Sequence, residues 1–411
     1  DGPLDNNPRI EARFQDGFKD DQDKNNNNLT TMRFGLVMLG VKDPKDPKRL
    51  KRLTYDEWGR TNSTVVRVEN QDWLFGFGPG RWVEREGKLD KGPDGAERKG
   101  MRSVWTTDPA NVKVRVTQTV ELVRGDSTNL LDTCRVRYLI ENFEDQGGPS
   151  RTVGLRMVLD TFIGANDGVP FVIPGEKGLC DTQKEFQGDR VPDFIQAQEN
   201  DRLDDPGTVA QVQFRIGGQV EPPARVTLGA WPDPQLSFPG RPQPWLAQWD
   251  VPVLPIREKA RQLAGRLQPG EIVPPDSAVV MYWPEKPIKP GEKREVGFSY
   301  GLGKVSSDKE GRLALTVGGR LVVGGEFTLT ALVSNPERGE KLTLTLPPGL
   351  KLVDGTEAQD VPPPALDAQR KTSPVTWRIK AEGEGAYELK VKSSANRQQS
   401  QKVRIKQERI F

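Results

Sequence analysis

Two antiparallel β-sandwiches in series, a large one over residues 32–305 and a small one over 312–411, are what this 411-residue sequence predicts. Three observations carry that expectation. The chain holds 42 Gly and 34 Pro against 34% hydrophobic residues, a polar and turn-rich balance usual in all-β proteins. Apolar residues recur with period two in run after run, as strands with one face in a core require. Past Arg312, six or seven short alternating runs separated by Gly, Pro and Asn turns fill about 100 residues, the pattern of an immunoglobulin-like sandwich. A chain of this length can bury two or three sizeable cores.

Residues 1–31 read as a flexible polar lead ending in DDQDKNNNN, too poor in apolar side chains to form a core. MRFGLVMLGV (32–41) opens the body as a first strand. Asp43 to Arg52 is a Pro- and Lys-rich loop, whose interleaved acids make it a solvated segment rather than a polyanion patch. LTYDEWGRTNSTVVRV turns at Trp58–Gly59 into a second strand. Trp73, Phe75 and Phe77 share one strand face, which reads as sandwich core ahead of a sugar-stacking platform. Val112, Val114, Val116, Val120 and Leu122 line the face of a long run interrupted by Gln118. Cys134, Val136, Tyr138 and Ile140 do the same in the run after it.

RTVGLRMVLDTFIGANDG (151–168) is the centre of the chain. Val153, Leu155, Met157 and Leu159 alternate with Gly154, Arg156 and Val158, which predicts a strand with one face in a core. The strand delivers Asp160 into a turn that sets Asn166 and Asp167 between two glycines. Further on, VTLGAW (226–231) and PWLAQWD (244–250) bring three tryptophans. One helical insertion is expected over 256–267, where Ile256, Ala260, Leu263, Ala264 and Leu267 fall on one face and Gln268–Pro269–Gly270 ends it. SAVVMYW (277–283) and REVGFSYGL complete the large module near Lys304, and VSSDKEG reads as a polar linker. In the small module Leu342, Leu344 and Leu346 fill one strand face, and Pro362, Pro363 and Pro364 mark an exposed connection.

Composition excludes whole classes of function. With 60 basic and 58 acidic residues, the formal charge of +2 gives no global pull toward nucleic acid or a membrane surface. No apolar run reaches the roughly 20 residues of a membrane helix. There is no histidine, which removes the usual general base near neutral pH, the usual serine and cysteine triads, and most zinc and haem sites. Carboxylate-only chemistry and calcium binding survive. The first residue is Asp1, as in a mature chain after signal-peptide removal or in a trimmed one. Cys134 and Cys180 read as buried free thiols, with a bridge between them open in an oxidising compartment.

Two groups of residues are candidate sites. Asp160, Asn166 and Asp167 offer oxygen ligands for a hard cation such as Ca2+, against the plainer reading of a hydrogen-bonded turn. Trp245 and Trp249, with Asp167 on the same end of the sandwich, offer a recognition surface, against the plainer reading that both indoles fill a core. Asp132, Asp160 and Asp167 are the candidate carboxylates for glycan chemistry.

RVRYLIEN…VGLRMVLDTFIGANDGVPF, VTLGAW and DSAVVMYWPEKPIKPGEKREVGFSYGLG together resemble a bacterial secreted module often joined to immunoglobulin-like domains, with the pattern of the galactose-mutarotase-like supersandwich over about Met32 to Lys304. Enzymes of that wider fold use a histidine acid/base pair, so no catalytic residue carries over to this chain. The order of modules, the missing histidine and the lack of a nucleotide loop point to a non-enzymatic extracytoplasmic protein offering a binding or assembly surface. Its partner would be another protein or a glycan; the alternative is a carbohydrate-binding or carbohydrate-active protein that uses carboxylates and exposed Trp.

Overall fold

The computed structural model describes residues 5–16, 32–76, 80–92, 95–107, 112–176, 178–200, 202–232, 248–257, 274–364 and 371–407. They form strands paired antiparallel in four sheets; among them there is no α-helix, only a 3-10 turn at Gly188–Arg190. The first sheet holds β1 (Ile10–Asp16), β2 (Met32–Lys42), β3 (Leu50–Thr54), β4 (Ser63–Val68), β5 (Gln71–Leu74), β10 (Arg151–Gly164), β12 (Lys184–Gln187), β15 (Arg225–Gly229) and β16 (Ala278–Ile288). Facing it is a sheet of β6 (Arg81–Gly87), β7 (Gly100–Thr106), β8 (Val114–Arg124), β9 (Leu131–Asn142), β11 (Phe171–Val172), β13 (Phe194–Gln198), β14 (Val209–Gln213) and β17 (Lys293–Leu302). The smaller pair consists of β18 (Val305–Ser307), β19 (Leu313–Gly319), β20 (Glu326–Ser334), β22 (Leu350–Leu352) and β24 (Thr372–Ala381) against β21 (Lys341–Thr345), β23 (Ala358–Asp360), β25 (Gly385–Ser393) and β26 (Gln398–Ile405).

Alternation builds both cores. Along β9 every second residue is buried, placing Cys134, Val136, Tyr138 and Ile140 inside against Val153, Leu155, Met157 and Leu159 of β10. Gln118, the polar interruption on β8, is inside as well and is satisfied there. Its amide donates to the Tyr138 hydroxyl at 3.0 Å, and that hydroxyl shares a hydrogen bond of 2.7 Å with Thr64. Trp73 and Phe75 stack edge-to-face on Trp105 in the same core, while Phe77 lies outside the described residues. Both cysteines are buried and free. In the smaller sandwich Leu342 and Leu344 meet Leu315, Leu329 and Trp377, with Leu346 packed at the margin.

Two stretches differ from the sequence reading, and a third lies almost wholly outside the described residues. Ile10–Asp16, expected in a flexible lead, pairs residue for residue with β2 and buries Ile10. The tract expected to be a linker contains β18, whose Val305 pairs with Thr316 of β19, followed by a turn closed by the Asp308 carboxylate on the amides of Arg312 and Leu313. Of the expected helix, only Ile256 and Arg257 are described; Ile256 sits non-helical in the main core, and 258–267 lie outside the described residues.

The two sandwiches touch. Phe194 of β13 lies so close over Gly318 of β19 that a Cβ there would meet its ring at 2.6 Å. Beside it Val172 and Leu203 pack on Ala314 and Leu332. Thr316 donates to the Gln196 amide oxygen at 2.8 Å, which satisfies one polar pair inside the contact.

Candidate functional site

β10 pairs with β16 on one side and with β4 and β3 on the other, and it is buried on both faces. The face turned away from the core carries Arg156, Val158 and Asp160, all buried, and Val158 packs with Trp249, Val251 and Val253. Arg156 is fully buried. It donates to the Ser63 hydroxyl at 2.7 Å and to the Gln248 carbonyl, and burial lowers its pKa to about 10. Asp160, 2% exposed, has its backbone amide on the Asn62 side chain at 2.7 Å, while its carboxyl Oδ1 meets no hydrogen-bond donor. Burial, and then the negative charges of Asp276 and Asp167, raise the Asp160 pKa well above the ordinary carboxyl range.

Beyond Asp160 the strand turns through Gly164–Gly168, a corner organised by Glu199. The Glu199 carboxylate accepts from the amides of Ala165 at 3.1 Å and Thr208 at 2.8 Å, and from Lys51 Nζ at 2.7 Å. Burial works to raise this carboxyl, but Lys51 and Thr208 outweigh it and hold the pKa low. A Cβ on Gly164 would fall 2.2 Å from the Glu199 carboxylate, and one on Gly168 would fall 2.2 Å from Pro275. Glycine is required at both corners by space as well as by positive φ.

This geometry changes the reading of the predicted cation ligands. The Asn166 side-chain oxygen receives Lys45 Nζ at 2.6 Å, and the same ammonium reaches the Ala165 carbonyl at 2.7 Å. The Asn166 amide donates to the Glu199 carbonyl at 2.9 Å, and Asp167 accepts from the Gly168 amide at 2.8 Å. A lysine therefore stands where the cation was expected, and Asp160 lies sealed beneath the corner. Among the described residues no group of three or more His, Cys, Asp or Glu could hold a metal ion. Asp132, set low on β9 of the facing sheet, is 1% exposed. Burial raises its pKa to about 6 against the opposing hydroxyls of Thr128 and Thr133. Asp132 and Asp160 are thus enclosed on strands of different sheets.

Trp249 is a packing residue rather than an exposed platform. It is 9% exposed, stacks edge-to-face on Tyr282 at 5.8 Å, lies under the Arg67 guanidinium at 4.6 Å, and donates its amide to Asp72 at 3.0 Å. The outer face of β10 and β16 needs an apolar cover, and this indole supplies it. Trp245 lies outside the described residues.

An open polar cavity lies where the sandwiches meet. A groove of about 880 Å³ runs between β12 with the Gly188–Arg190 turn on one wall and β20 with β24 on the other. Its charges alternate. Lys184 pairs with Glu176 at 2.5 Å, Arg215 with Asp193 at 2.8 Å, and Arg378 with Glu326 at 2.6 Å, while Asp189 and Arg190 stand exposed on the turn. β12 is an edge strand, so its backbone borders the groove. No local sequence pattern marks these residues, which come from segments almost 200 positions apart.

No protein-family model and no curated protein matches the chain. Solved structures do match in β-rich fold. One is a polysaccharide lyase with 10% identity and a TM-score of 0.31; the similarity covers 98% of this chain and 47% of that one. The chain thus spans about half the length of that enzyme, and a likeness at this level assigns neither family nor activity.

Proposed function

We propose that this is a non-enzymatic, extracytoplasmic binding protein, and that the groove between its sandwiches receives a polar partner. One observation carries the reading: about 880 Å³ of accessible space is walled by carboxylates and guanidinium groups from both sandwiches. Charges of both signs on rigid strands suit a ligand rich in hydrogen-bonding groups, such as an extended peptide segment or a glycan. Asp160 and Asp132, whose carboxyls are strongly raised from their ordinary range, are enclosed, which favours binding over carboxylate catalysis. We take the larger sandwich to be of the galactose-mutarotase-like type and the smaller to be immunoglobulin-like, two modules that recur in surface proteins. The test is to present the whole chain to arrays of extended peptides and of oligosaccharides beside the double variant Arg190→Glu/Arg378→Glu. Binding that the variant loses while keeping its melting temperature supports the groove; binding that is unchanged in the variant, or absent from both arrays, contradicts it.

A further inference from the structure

The far side of the large sandwich carries a second depression. There β1 ends the first sheet and β6 ends the facing one. Between them lies a shallow space of about 570 Å³ bordered by Trp58, Phe14, Met101, Glu11, Arg13 and Glu86. Trp58 is 41% exposed, among the few large apolar side chains in the described residues left so open to solvent.

Its exposure is built into the turn that presents it. The Asp56 carboxylate accepts from the amides of Trp58 at 3.0 Å and Arg60 at 2.9 Å. Beneath, the turn presses so tightly on β2 that a Cβ on Gly35 would fall 2.3 Å from the Glu57 carbonyl, and one on Gly59 would fall 2.0 Å from that of Phe34. The turn therefore cannot fold inward and bury the indole. One face of the ring is also held: the Arg13 guanidinium lies over it, 5.4 Å from the centroid, and is itself fixed by Glu11 at 3.0 Å and by Glu57, which leaves the other face for a ligand. An indole kept outward by a clamped turn and steadied by a paired arginine is a preorganised flat surface.

We propose that this depression binds a saccharide, with one pyranose ring stacked on Trp58. The apolar C–H face of a sugar ring matches a flat indole, and its hydroxyls, acting as both donors and acceptors, match carboxylates and a guanidinium placed around the rim. Glu11 and Glu86 accept hydroxyl protons, and Arg13 donates to ring or hydroxyl oxygens. The site stands independently of the groove.

The test is calorimetric titration of the full chain with a panel of neutral and uronic-acid hexasaccharides, α- and β-linked. Wild type binds at least one member. Trp58→Ala weakens that binding about tenfold or more at an unchanged melting temperature, Trp58→Phe weakens it less, and Arg190→Glu/Arg378→Glu leaves it intact. A wild type that binds no member, or a Trp58→Ala variant that binds like wild type, overturns the proposal. So does binding that only the groove variant abolishes, which would make the saccharide a groove ligand.

Discussion

Asp160 is the residue with the strongest physical conflict. Its amide is satisfied, yet its carboxyl is buried with Asp276 and Asp167 as electrostatic neighbours, so ionising it costs free energy that the fold must supply. The linkage follows from the sign. A group whose folded pKa lies above its unfolded value stabilises fully below the unfolded pKa, and that stability is lost as pH rises through the folded value. Asp132 acts in the same sense, losing its contribution between the ordinary carboxyl value and about pH 6. Asp132 and Asp160 should therefore make the melting temperature fall as pH rises above the ordinary carboxyl range, and Asp160→Asn, neutral at every pH, should lessen that fall. Wild-type and variant curves that run parallel would show that Asp160 does not titrate in this range.

At the scale of elements, β10 and its corner carry the large sandwich. Removing Glu199 strips the Lys51 ammonium of its buried counter-charge and leaves the Ala165 and Thr208 amides without their acceptor. Glu199→Ala should cost about 3 kcal/mol in chemical denaturation; a loss under about 0.5 kcal/mol would mean that the corner holds without it. Because Lys45 already fills the oxygen-lined notch, calcium and chelator should give the same melting temperature, and a calcium-dependent rise would restore the cation reading. The inner face of β10 was legible in the sequence because Val153, Leu155, Met157 and Leu159 repeat at the period of a strand. The burial of its outer face was not legible, since the cover on Arg156 and Val158 comes from residues around Trp249, about 90 positions later. For the same reason Glu199, Lys45 and Lys51 were invisible beside Asn166. β1 and β18 were misread because their polar composition outweighed a short alternation; each is an edge strand, where one polar face is expected.

For the whole molecule, the contact between the sandwiches matters most. Phe194, Val172 and Leu203 pack against Gly318, Ala314 and Leu332 of the smaller sandwich. Residues 1–304 expressed alone should fold and keep cooperative melting but expose this patch, binding an apolar dye and self-associating more than the full chain does. A molten fragment would make the two cores one folding unit. The same contact brings both walls of the groove together, so the proposed site needs the complete pair. The central claim, that the protein works by binding in this groove, is tested most directly by titrating the best array ligand calorimetrically into wild type, Arg190→Glu/Arg378→Glu and Trp58→Ala. The groove variant should lose about tenfold or more in affinity while Trp58→Ala keeps it. Equal affinity in wild type and the groove variant would contradict it.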